Sequence, residues 1–88
     1  MLTLLKFKAD WCKPCKAMIP VVDALKEQNP DVIFQDVDID NDPQLRADYG
    51  IRSIPSFVVL KDRKEVKRKI GSSTLSELKE LLDECRGL

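Results

Sequence analysis

The sequence of 88 residues contains no histidine, only three cysteines and no excess of either charge, since 15 basic residues balance 15 acidic ones. The neutral balance gives no electrostatic reason to expect nucleic acid or an anionic membrane as the main partner. No segment approaches the roughly 20 apolar residues that cross a bilayer, and the apolar run at the N-terminus is too short for the core of a signal peptide. We therefore expect a cytoplasmic protein.

The scarcity of cysteine limits what the three thiols can do. The cysteines at positions 12, 15 and 85 cannot all pair, and their spacing does not match the framework of a disulfide-rich secreted domain. In a reducing compartment, a close pair more often serves redox chemistry or a metal ion than a structural bridge. A zinc site needs four ligands, which a chain without histidine supplies poorly. Cys12 and Cys15 are therefore predicted to be redox-active without a metal or other cofactor. Half a zinc site, a cluster shared between subunits and an inert pair remain as alternatives.

Hydrophobic periodicity predicts one domain over residues 1–88, and the composition of 43% hydrophobic and 34% charged residues suits a compact globule. Strands are predicted over residues 2–9, 32–39, 56–60 and 65–70, and helices over residues 13–28, from about residue 43 to 49, and from residue 75 onward. The order β-α-β-α-β-β-α implies an α/β fold in which helices cover both faces of a four-stranded mixed sheet.

Local signals mark where these helices begin and bend. Pro20 is expected to kink the first helix, unless two helices meet there. Asp42 precedes a proline and is a predicted N-cap, and Thr74 with Glu77 forms a predicted capping box for the last helix. Cys85 falls on the apolar stripe of that helix, so we expect a structural thiol in the core.

The spacing and position of Cys12 and Cys15 predict dithiol chemistry. The pair lies where a strand joins a helix, and unsatisfied backbone N–H groups at a helix N-terminus favour a thiolate there. Lys13 and Lys16 add a modest positive charge, and Pro14 stiffens the loop. The implied mechanism has two steps: the Cys12 thiolate attacks a substrate disulfide, and Cys15 then attacks Cys12 and releases the reduced substrate.

Several motifs in this chain resemble those of the thioredoxin family. Residues 9–16 are similar to the active-site segment of that family, with Lys13 where glycine is usual. The other matching features are Pro20, the acidic strand end at residues 37–40, the segment at residues 49–56, and Gly71. These motifs agree in register with no internal gap from about residue 2 to residue 87.

The resemblance implies a thioredoxin-like fold and a thiol–disulfide oxidoreductase. The chain starts at the strand that leads to the cysteines, so the resemblance implies the minimal core that glutaredoxins share. The implied function is reduction of protein disulfides by a monomer that a flavin-dependent thioredoxin reductase recharges. By family analogy, the targets include ribonucleotide reductase and peroxide-handling enzymes.

The resemblance also implies roles for residues outside the cysteine pair. The Ile54–Pro55 bond is expected to be cis and to face the cysteines, with the Ile54 backbone pairing to an extended substrate segment, beside Gly71. Pro55 could instead simply start a strand. Trp11 is expected to shield one side of the site and to contact partner proteins, or to be a half-buried residue at its rim.

One pair of residues departs from the family pattern. Thioredoxins usually have a buried aspartate six residues before the nucleophile, paired with a lysine on the neighbouring strand. Here the aligned residues are Lys6 and Asp36, so the charges are exchanged. We expect a partly buried ion pair beneath Cys15, in which Asp36 takes the proton from Cys15 as that thiol attacks. The alternative is that Lys6 extends outward and Asp36 is a solvated strand end.

Two other functions are compatible with the sequence. The first is a glutaredoxin-type enzyme that glutathione recharges, although the segment after the last predicted strand gives it weak support. The second is a redox-inactive module that uses the fold only to bind partners. An oxidase or isomerase is less favoured, because those relatives typically place histidine between the cysteines.

Overall fold

Four strands and four helices alternate along the chain in a computed structural model that describes residues 1–88. In chain order they are β1 (Leu2–Lys8), α1 (Lys13–Ala17), α2 (Ile19–Gln28), β2 (Ile33–Asp38), α3 (Pro43–Asp48), β3 (Ser56–Lys61), β4 (Lys64–Ile70) and α4 (Leu75–Arg86). The strands form one sheet in the order β2-β1-β3-β4, in which β1 and β2 are parallel and the other neighbours antiparallel. The predicted α/β fold with a four-stranded mixed sheet is confirmed. No helix is both long enough and apolar enough to span a membrane.

The sheet separates two hydrophobic clusters because side chains of a strand alternate between its faces. Leu2 and Leu4 of β1 belong to the cluster beneath α2 and α4, whereas Leu5 and Phe7 belong to the cluster beneath α3. Both cysteines of the close pair pack in the second cluster. The end of β1 therefore carries the pair into the apolar layer of the α3 side.

The helix predicted over residues 13–28 is wrong as a single element, because two helices meet at Met18. Pro20 has no N–H to donate to the carbonyl four residues earlier, and its ring crowds that carbonyl. The first helix ends two residues before the proline, at Met18, whose N–H donates to the Cys15 carbonyl at 3.1 Å. The Val22 N–H then donates to the Met18 carbonyl at 2.9 Å and continues the ladder. As a result, α1 has only five residues.

The predicted caps of the other helices are present. The Asp42 side chain accepts from the Leu45 N–H at 3.0 Å at the start of α3. At the start of α4, Thr74 Oγ1 accepts from the Glu77 N–H at 3.1 Å, and a Glu77 carboxylate oxygen accepts from the Thr74 N–H at 2.9 Å. Cys85 on the inner face of α4 is fully buried, as expected of a core thiol. These caps fix where α3 and α4 begin, and the packing of α4 leaves Cys85 in the core.

Candidate active site

Cys12 lies at the N-cap of α1, directly after the turn that follows β1. Its N–H donates to the Ala9 carbonyl at 3.1 Å, which closes that turn. Cys12 and Cys15 are joined as a disulfide, with their Cα atoms 5.2 Å apart. The Cys12 Sγ atom accepts a hydrogen bond from the Cys15 N–H at 3.2 Å. Because α1 is so short, this single N–H, rather than a long helix dipole, is the main local donor to a thiolate at position 12.

The two sulfurs face different surroundings. Cys12 Sγ lies 4.0 Å from the carbonyl oxygen of Ile54, on the side of the loop that precedes β3. Cys15 instead lines a cavity of about 150 Å³ between α1 and the sheet. Both residues are nearly inaccessible in the disulfide form, with 5% and 3% of their surfaces exposed. Cys12 thus lies against the loop that precedes β3, whereas Cys15 faces the cavity.

The loop against Cys12 contains the cis bond expected between Ile54 and Pro55. Pro55 is buried, and its carbonyl accepts from the Gly71 N–H at 2.8 Å. Gly71 has a φ of +94°, a conformation that residues with a side chain rarely adopt. The structure thus brings Ile54 against Cys12 and Gly71 against Pro55, in the loop that the resemblance to thioredoxins implied. Lys13 and Pro14 form the exposed first turn of α1 next to them.

Trp11 is an exposed residue beside the disulfide, not a half-buried one, with 66% of its surface accessible. Its indole Nε1–H donates to a carboxylate oxygen of Asp40 at 2.8 Å. The sequence interpretation missed Asp40 as a site residue. The available signal was the acidic end of β2, which a parallel neighbour of β1 places at the same edge of the sheet as Trp11.

Lys6 and Asp36 are register partners on β1 and β2 and line the same cavity as Cys15. Their closest charged atoms, Lys6 Nζ and Asp36 Oδ1, are 3.8 Å apart. The Lys6 side chain is only 7% exposed, while that of Asp36 is 53% exposed. The ion pair is therefore present with the lysine buried and the aspartate in contact with solvent. The alternative in which Lys6 extends outward is wrong.

A second lysine, at the end of β1, forms ion pairs with two neighbouring carboxylates. Lys8 Nζ lies 3.1 Å from Asp10 and 3.5 Å from Asp38. The hydrogen bond with Asp10 raises the pKa of Lys8. The Asp40 N–H donates to Asp38 at 2.9 Å, and this hydrogen bond is the main cause of a lowered pKa for Asp38. The Asp38 carboxylate is thus held ionised at the Trp11 side of the site.

The remaining cysteine is remote from this arrangement. Cys85 packs in the cluster between α2, α4 and the sheet, whereas Cys12 and Cys15 pack in the cluster on the α3 side. Burial raises the pKa of the Cys85 thiol, which disfavours its reactive thiolate. A zinc site built on the close pair would have to find its other ligands without this thiol.

The fold and the disulfide at the strand–helix junction define a thiol–disulfide oxidoreductase, and comparison with known proteins agrees. A statistical model of the thioredoxin family matches residues 1–84. The thioredoxin of Chlamydia trachomatis is 41% identical over 81 residues, which are 92% of this chain and 79% of that protein. The chain belongs to the thioredoxin family, and its cysteines exchange between dithiol and disulfide.

Solved structures of relatives give the same result for the fold. The thioredoxin of Fasciola hepatica matches with a TM-score of 0.89 and 37% identity over 94% of this chain and 79% of that one. The thioredoxin of Nicotiana alata matches with a TM-score of 0.90 and 35% identity over 94% of this chain and 71% of that one.

Proposed function

We propose that this thioredoxin reduces disulfides of other proteins, with Cys12 as the attacking thiolate and Cys15 as the resolving thiol. The observation that carries this division of roles is the environment of the two sulfurs. Cys12 Sγ accepts the Cys15 N–H at 3.2 Å and lies beside the Ile54 loop, where a partner can approach. Cys15 lines the cavity beneath.

Bonds, electrons and protons balance over the two steps. The Cys12 thiolate forms a bond to one substrate sulfur, and the substrate S–S bond breaks to release a substrate thiolate, which takes a proton from solvent. Cys15 then loses its proton, and its sulfur attacks Cys12. The bond between Cys12 and the substrate breaks, and the second substrate sulfur leaves with the electron pair. The substrate gains two electrons and two protons, and the protein is left as the Cys12–Cys15 disulfide.

The surface around Cys12 suits an extended substrate segment. We assign binding to Trp11, Ile54, Pro55 and Gly71, because Trp11 adjoins Cys12 in the chain, the Ile54 carbonyl lies 4.0 Å from Cys12 Sγ, and Pro55 and Gly71 belong to the same hydrogen-bonded loop. Trp11 is exposed and held by Asp40, so it offers rigid apolar area at low entropic cost. Ile54 offers its backbone to the segment, and the bond from Gly71 to the Pro55 carbonyl holds that loop in place.

We assign a supporting role to Lys6 and Asp36 in the second step. Asp36 accepts the proton of Cys15, through solvent within the cavity of about 150 Å³ that both residues line. Its exposure favours this role, since a carboxylate open to water can pass the proton onward. The buried Lys6, whose Nζ lies 3.8 Å from Asp36 Oδ1, holds the carboxylate on the cavity side.

For recharging, we propose a flavin-dependent thioredoxin reductase, with glutathione as the alternative reductant. Thioredoxins as a family act on disulfide substrates and are reduced by thioredoxin reductase. A monomer in the cytoplasm fits this role, since reducing compartments keep such thiols in the dithiol form. Recovery of the dithiol with NADPH and thioredoxin reductase, but not with glutathione and its reductase, is the expected result. The opposite pattern would assign the chain to the glutaredoxin type of activity.

The division of roles is tested by trapping the intermediate. In the Cys15→Ser variant the second step is blocked, so we expect a mixed disulfide between Cys12 and a protein substrate such as insulin, visible by mass spectrometry. The double variant Cys12→Ser, Cys15→Ser keeps Cys85 and should trap nothing. A trapped adduct in the double variant, or none in the single one, contradicts the assignment. Absence of insulin reduction by the wild-type protein beyond that of dithiothreitol alone would favour a redox-inactive binding module.

A further inference from the structure

We propose that the preferred substrates carry acidic side chains beside their disulfide, and that Lys13 and Arg52 recognise that charge. This inference rests on the proposed function, because it names the substrate class of the same site. It depends on how the charged groups around Cys12 are distributed and on which of them already have partners.

The charges at the Trp11 edge of the site are largely satisfied within the protein. Lys8 bridges Asp10 and Asp38, and Asp40 accepts the indole N–H of Trp11. From residue 36 to residue 42 every second residue is an aspartate, and no basic residue lies between them. This edge carries negative charge, and its carboxylates already form ion pairs or hydrogen bonds within the protein.

Three cations near Cys12 have no such partners. Lys13, Lys16 and Arg52 are exposed, and none of them forms an ion pair or a side-chain hydrogen bond. Lys13 is the residue next to Cys12, at the first position of α1. Lys16 lines the mouth of the cavity beside Cys15. The chain as a whole is neutral, so these unpaired cations do not simply reflect a basic protein.

Arg52 is close enough to act on a substrate bound at Cys12. It lies two residues before Ile54, whose carbonyl oxygen is 4.0 Å from Cys12 Sγ. Two consecutive peptide units span at most about 7.6 Å, so the Arg52 backbone lies within one Debye length (about 10 Å at 0.1 M salt) of the Ile54 backbone. A segment that pairs with Ile54 therefore lies near the charges of both Arg52 and Lys13. Acidic side chains on that segment would gain ionic partners, and basic ones would meet unpaired like charges.

The test uses two disulfide-bridged peptides that differ only in the residues flanking the cystine, glutamates in one and lysines in the other. The second-order rate constant for reduction by the dithiol protein is measured for each, at low and high salt. We expect the glutamate peptide to react about five-fold faster at low salt and the difference to shrink at high salt, because rim charges act mainly on association. In Arg52→Glu and Lys13→Glu the ratio of the two rates should fall toward one or invert.

The control is Lys79→Glu, which makes the same charge change at an exposed, unpaired lysine on α4. It should leave the ratio of the two rates unchanged. Equal rates for the two peptides, or an equal shift of the ratio in Lys79→Glu, would overturn the charge preference while leaving the proposed reductase activity intact. If neither peptide is reduced faster than by the Cys12→Ser variant, the reductase function itself fails and the substrate preference fails with it.

Discussion

Cys12 and Cys85 are both buried cysteines, yet the structure gives them opposite chemistry. Their exposed fractions are 5% and 0%, so accessibility alone barely separates them. Cys85 lies among the leucines of α4 and the strands, where burial raises the pKa of its thiol. Cys12 receives the backbone N–H of Cys15 on its sulfur. The comparison teaches that a donor aimed at the sulfur, and a position at a strand–helix junction, decide thiol reactivity more than depth does.

The sharpest test of this comparison is selective alkylation of the reduced protein. At neutral pH we expect iodoacetamide to modify Cys12 at least about 10³-fold faster than Cys85, because the Cys15 N–H favours a thiolate at position 12, whereas burial raises the pKa of the Cys85 thiol. Peptide mass spectrometry over time gives both rates. Denaturant serves as the control, since in urea the two rates should converge. Comparable labelling of both thiols under native conditions would break the comparison.

A substitution at position 85 measures what the core thiol contributes to stability. Cys85→Ser places a polar hydroxyl in a fully buried apolar cluster, so we expect the free energy of unfolding to fall by about 2 kcal/mol. Urea denaturation followed by circular dichroism measures the change. Reduction of insulin at a temperature where the variant is folded should be unaltered. A loss of activity without a loss of stability would assign Cys85 to the chemistry.

The variant Asp36→Asn tests the proposed role of Asp36 in the cavity beside Cys15. Removal of the proton acceptor should slow the resolution of a preformed Cys12 mixed disulfide about ten-fold, less than a buried general base contributes, because solvent partly replaces an exposed carboxylate. Rapid-mixing kinetics with a fluorescent leaving thiol measures that step, while the rate of the first attack stays near that of the wild type. Asp23→Asn on α2, an exposed carboxylate that does not line the cavity, is the matched control. An unchanged resolution rate would end the proposed role of Asp36.

Much of the fold and of the cysteine site could be predicted from the sequence, because the residues that determine them lie close together in the chain. Alternating apolar residues in β1, the capping box at Thr74 and the spacing of Cys12 and Cys15 each depend on residues a few positions apart. The single helix over residues 13–28 was wrong because the steric effect of Pro20 acts on the preceding turn, where the helix ends rather than bends. The pairing of Lys6 with Asp36 was anticipated only through resemblance to thioredoxins, since strand register is a tertiary property.

The contact between Trp11 and Asp40 was not predicted, because its partners lie 29 residues apart and meet only through the parallel pairing of β1 with β2. Weakening this contact has the smallest expected effect on activity among these predictions, and it tests the surroundings of Cys12. In Asp40→Asn the indole N–H keeps an acceptor but loses a charged one, which weakens the hydrogen bond by roughly half. We expect kcat/KM for insulin to fall about two-fold, through looser positioning of Trp11, with stability unchanged. Time-resolved fluorescence anisotropy of the single tryptophan should show faster ring motion. If kcat/KM falls while the anisotropy decay is unaltered, Asp40 acts through its charge and not by holding Trp11.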